Sequence, residues 1–173
     1  MRFIVFPVLS IACGLASSAH AQSVIDPPPF TRTVNLSGPR FGMTALSPGV
    51  VAELEKRSID VGSNITQFGW QFEKAFYAKG SGLAAVNEWV LLLGGLEQGH
   101  VLPSLSWLVG MRTREGAEFG VGPNITPAGV ALVVAAGVTV RTSSFNVPLN
   151  VAFVPSKVGT RVSVLTGFNM RRR

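Results

Sequence analysis

The residues whose types and spacing come nearest to covalent chemistry are His100, with Glu97 beside it and Ser104 and Ser106 following. A serine hydroxyl activated by an imidazole base is the core of acyl-transfer chemistry, the kind a lipid-modifying enzyme needs. Here the histidine falls in a predicted turn and the serines on one face of the next strand, so the spacing implies no triad. The other candidates fail on context. Gly120-Val121-Gly122 is no dinucleotide fingerprint, because no helix follows it. Gly80-Ser81-Gly82 is a turn, and no His, Cys, Asp and Glu cluster supports a metal site. Asn64-Ile65-Thr66 and Asn124-Ile125-Thr126 match a glycosylation acceptor pattern that a bacterial-type secreted chain rarely uses. The expectation is a protein that is not an enzyme, with no catalytic residue, cofactor or metal.

The ends carry addresses rather than chemistry. Met1-Arg2, the apolar run Phe3–Leu9 and the small residues around Ala19 and Ala21 form a secretory signal peptide over residues 1–21, with cleavage before Gln22. Cys13 does not make a lipid anchor, because Ser10 stands where a larger aliphatic residue belongs. Residues 22–37, with Pro27-Pro28-Pro29, form a flexible lead-in segment, 38–170 the folded domain, and 171–173 a basic tail. The net charge of +6 owes three units to Arg171, Arg172 and Arg173. No basic helix or aromatic-interleaved patch accompanies that tail, so nucleic acid is not an expected partner.

The elements that must position these residues are strands. From Arg40 onward apolar residues alternate with small or polar ones, most cleanly over Val101–Arg112. Side chains of a strand point to opposite faces with period two, so each such stretch has one oily and one polar face. Eight strands follow: Arg40–Leu46, Thr66–Tyr77, Ala85–Glu97, Val101–Arg112, and four more around Glu118–Ile125, Val130–Arg141, Asn146–Phe153 and Arg161–Asn169. A turn at Lys79–Gly82 joins the second to the third. Pro123 weakens the fifth strand, since proline donates nothing to a ladder. One short helix, with Ser47 as cap and Pro48 in the first turn, lies in the longest connection, 47–64. The fold class predicted is all-β: an eight-stranded antiparallel up-and-down β-barrel with one short helix in the first long loop.

Which face points inward decides the setting. Charged residues make up only 14% of the chain and lysine occurs four times, whereas a water-facing surface usually carries about 25–35% charge. A membrane barrel resolves this by turning its oily face to lipid and packing small and polar residues in a narrow lumen. Arg40, Glu73, Glu88, Arg112, Glu118, Arg141 and Arg161 then form a lumen charge network. Phe68, Trp70, Phe72, Trp89, Trp107, Phe119, Phe153 and Phe168 become lipid-facing or interfacial aromatics. Residues 38–169 resemble small bacterial outer-membrane β-barrel proteins. Glu118–Asn124 and Val154–Lys157 running on to Gly167–Asn169 look like segments of uncharacterised members of that class. The resemblance implies a monomer in the cell outer membrane, with lipid around it and a structural, adhesive or surface-interaction role. It also leaves loop 47–64 open to an extracellular partner. Eight strands enclose too little space for an open pore. The alternative is a soluble periplasmic lipocalin-like barrel that binds an apolar ligand within its aromatic face; a lipid-modifying enzyme using His100 ranks third.

Overall fold

A computed structural model describes residues 35–78, 82–142 and 144–170. The signal peptide, the lead-in segment up to residue 34, three residues of the Lys79–Gly82 turn and the 171–173 tail lie outside the described residues. The chain forms β1 (Gly38–Leu46), α1 (Pro48–Glu55), β2 (Asn64–Ala78), β3 (Ala84–Gly94) and β4 (Leu102–Arg112). Then come β5 (Ala117–Thr126), β6 (Gly129–Arg141), β7 (Phe145–Ser156), β8 (Gly159–Gly167) and the two-residue β9 (Asn169–Met170). From β1 to β8 each strand pairs antiparallel with the next, and β1 pairs with both β2 and β8. The result is a closed eight-strand barrel in up-and-down order, with β9 adding a short pairing to β7.

The register fixes the barrel's shape. Phe41 carried across β2 and β3 meets Phe68, Leu93 and then Pro103 on β4. Carried the other way, it meets Thr166, Leu149, Val138 and Ala117, which lies opposite Thr113. The two routes differ by ten residues (113 minus 103). Ten residues of rise against eight strand spacings tilt the strands by about 40° to the barrel axis.

The alternation decides the faces as the sequence predicts. Phe41, Met43, Trp70, Trp107, Leu132, Val151 and Phe168 are exposed on the outside, at 41–56%. Arg40, Thr44, Gln67, Gln71, Glu73, Ser104, Asn124 and Ser163 are buried in the lumen. Trp89-Val90-Leu91-Leu92-Leu93, oily on both faces, is a strand all the same. Val90 and Leu92 turn inward to meet Leu108, Val133, Val154 and Leu165 in an apolar belt inside the barrel. β3 stops at Gly94, short of the predicted Glu97, because Gly95 turns left-handed (φ 76°) into a 3-10 turn over Leu96–Gln98. Pro123 leaves its mark too: pairing between β4 and β5 lapses between Ser106↔Asn124 and Val109↔Val121.

Both ends of the barrel are stoppered. At the end where β1 finishes, α1 lays Val50 and Leu54 over the mouth, against Leu46, Val61, Ile65 and Leu102. Ser47 precedes the helix but makes no side-chain cap; its hydroxyl instead accepts from the Thr160 amide (2.9 Å), tying the helix to β8. At the opposite end Leu36 is fully buried, and Asn35 Nδ2 donates to the Glu73 carbonyl (3.1 Å). The expected flexible lead-in therefore gives way to packed structure at residues 35–37. The reason is local: Leu36 is an apolar side chain placed beside an open barrel mouth.

Candidate functional site

The lumen charges gather at the Leu36 end, on β2, β3, β4 and β5, where inward positions of four neighbouring strands face one another. Arg112 is the centre. Its guanidinium donates to both carboxylate oxygens of Glu73 (2.6 and 2.5 Å) and twice to Glu118 Oε2 (2.9 and 2.7 Å). Such fork-shaped contacts are the strong form of the ion pair. Glu88 Oε1 stands 3.5 Å from Arg112 Nη2, and among the described residues it accepts no hydrogen bond. Arg40 adds the second cation but bonds to neutral groups: Gln71 Oε1 (2.9 Å) and the carbonyls of Pro39 (3.0 Å) and Leu36 (2.6 Å). The Leu36 amide in turn donates to Glu73 (3.3 Å), so the segment before β1 is built into the network.

Five of the seven predicted lumen charges thus come together, and two do not. Arg141 has inward parity on β6 but is the last residue of that strand and is exposed, so it is not part of the network. Arg161 is buried, yet it sits at the other end of the lumen, on β8 opposite Leu46 beneath α1. A parity pattern assigns a face and leaves height along the strand unassigned. Between the two ends lies a polar layer that the charge pattern missed. Thr44 Oγ1 bonds Gln67 (2.5 Å) and Ser163 (2.6 Å), and Asn124 Nδ2 bonds Ser104 (3.0 Å) and Ser106 (2.9 Å).

Compared with protein-family models, curated proteins and solved structures, the chain matches none of them. The site must be read from its own geometry. No His, Cys, Asp and Glu group among the described residues is arranged to hold a metal. The would-be nucleophiles Ser104 and Ser106 face the lumen and are engaged by Asn124, whereas His100 sits in the turn after the 3-10 segment. No hydrogen bond among the described residues joins them.

On the outside, all eight predicted aromatics are exposed. Phe72, Trp89 and Trp107 are cross-strand neighbours in one row. Trp89 and Trp107 stack with centroids 5.8 Å apart, and the Trp107 indole N–H donates to Asn87 Oδ1 (2.7 Å). Both tryptophans are at the middle of their strands rather than at a rim. Among the described outward positions of β1 to β8, Lys74 is the single charged residue. No helix of the described residues is long and apolar enough to cross a membrane.

The α1 end presents the polar surface. Arg57 hydrogen-bonds Glu53 (3.0 and 3.2 Å) and holds its carboxyl below the ordinary range. Glu97 accepts from the Thr66 hydroxyl (2.5 Å) and amide (2.7 Å), which lower its pKa in the same way. Gln98 bridges the Gly62 amide (2.6 Å) and the Asn64 carbonyl (2.7 Å). The 3-10 turn therefore anchors the return of the 47–63 connection into β2.

Proposed function

We propose that this chain is a small outer-membrane β-barrel without an open pore and without enzymatic activity, serving as a structural or adhesive element at the cell surface. The observation that carries it is the exterior: one lysine on the outward face of eight strands, against the roughly 25–35% charge a water-facing surface carries. An apolar band of this kind suits hydrocarbon, and a tilt of about 40° lets strands of about 10 residues cross it. The lumen suits the same setting, since its polar groups bond mostly to one another. Leu36 and α1 cover the two mouths of the lumen. A soluble lipocalin-like carrier needs its aromatic face inside, and these aromatics are outside. With an even strand number both ends of the described barrel lie on one side, so the 47–64 loop is presented on the other, where an extracellular partner would meet it. Lipid is the surrounding partner in this reading, and the barrel works as a monomer.

Cell fractionation tests it. The protein is expected in the outer-membrane fraction, released only by detergent, and migrating differently on a gel before and after boiling. Recovery from the periplasm without detergent overturns the reading.

A further inference from the structure

Among the described residues Arg161 is the one buried lumen charge outside the network. It is 6% exposed, and its only hydrogen-bond partner among the described residues is the Thr126 hydroxyl. Its Nε has no partner, and no carboxylate lies at ion-pair distance among the described residues. A buried guanidinium with neither counter-charge nor full hydrogen bonding is costly, because burial removes the water that solvates its charge and its N–H groups. Arg161 also lines a cavity of about 90 Å³ that runs down the lumen from α1 past the polar layer to Gln71 and Glu88, with Arg161 at its α1 end. Two further unpaired polar atoms belong to residues lining the same cavity, Gln71 Nε2 and Asn150 Oδ1. The walls near Arg161 are otherwise oily: Leu46, Val50, Leu54, Leu102 and Val154.

We propose that the Arg161 cavity is a binding site for a small aliphatic monocarboxylate, of acetate or propionate size. The guanidinium offers the planar fork that a carboxylate fits with two parallel hydrogen bonds. The volume sets the length. A cavity of about 150 Å³ holds benzene, six heavy atoms, so this one takes about four, the size of acetate, with propionate at the upper limit. Apolar walls favour a weakly hydrated tail beside the carboxylate over a bare inorganic ion, whose hydration they cannot replace. The cavity extends to Pro127 and Ala128 in the β5–β6 turn, beside the helix that stoppers this end. The site is internal, so this inference stands or falls separately from what surrounds the barrel's exterior.

The test uses the full chain folded in zwitterionic detergent, with sodium propionate as probe and sodium chloride and sodium nitrate as controls at matched ionic strength. Saturation transfer from protein to propionate reads binding, and the urea midpoint reads the accompanying stabilisation. Propionate is expected to bind saturably, one per barrel, and to raise the midpoint, with the inorganic salts failing to compete. Arg161→Gln is expected to weaken binding at least about tenfold, as loss of a charged hydrogen-bond partner does, and Arg161→Lys to keep part of it. Ala152→Leu leaves the charge and fills the cavity, and is also expected to abolish binding; it carries the test if Arg161→Gln does not fold. Absence of saturable binding in the wild type shows that Arg161 is merely hydrated and overturns the proposal. Equal competition by chloride, or unchanged binding in Ala152→Leu, overturns it as well.

Discussion

Arg112 holds three carboxylates, and they are not equivalent. Glu73 and Glu118 accept its hydrogen bonds, while Glu88 stands at 3.5 Å without one. Removing the cation leaves a cluster of like charges in the lumen, so Arg112→Gln is expected to cost about 3–5 kcal/mol. Glu88→Gln removes a charge that has no hydrogen bond to lose, and is expected to cost less than about 1 kcal/mol. Urea unfolding in detergent measures both, and a larger loss for Glu88→Gln than for Arg112→Gln would show that the centre of the network is misassigned. The residues of this network were legible in sequence as inward positions of alternating strands. That Arg161 stands apart from them was not, because its neighbours are brought there by β1, β5 and α1 rather than by anything nearby in the chain.

At the scale of elements, strands this tightly coiled need positions with no side chain at all. Gly69 on β2 is one: a Cβ there would collide with the carbonyl oxygen of Leu91 on the neighbouring strand. Gly69→Ala is therefore expected to destabilise the barrel by about 1–3 kcal/mol, seen as a lower urea midpoint of its folded gel band. The 3-10 turn is held by a carboxylate whose pKa is depressed by Thr66. A group with a lowered folded pKa contributes its stabilisation above the unfolded value, about 4.3 for glutamate, and loses it as pH falls through the folded one. Faster exchange of the Thr66 amide is thus expected only once pH drops below the usual carboxylate range, and Glu97→Gln is expected to remove that pH dependence. The helix was legible from Ser47 as cap and Pro48 in the first turn. Its role as a stopper was not, because the surface it covers is assembled from β1, β2 and β4.

For the whole molecule the exterior makes the sharpest demand. Val151 is exposed near the middle of β7, in the band without charge. In lipid, Val151→Arg is expected to destabilise the folded barrel by about 2–4 kcal/mol; around a soluble barrel the same change would be near neutral. Unfolding from lipid vesicles separates the two, and a neutral Val151→Arg would speak against the bilayer. The sequence by itself determined the strand count, the pairing order and which side chains share a face, because period-two alternation is a local property and short turns join neighbours. Only the tertiary structure decided how high each inward residue sits, through a stagger that accumulates around the closed sheet. That stagger gathers Glu73, Glu88, Arg112 and Glu118 at one end and leaves Arg161 beside a cavity at the other. It also brings Leu36 and α1, one from before the first strand and one from after it, to opposite mouths of the same barrel.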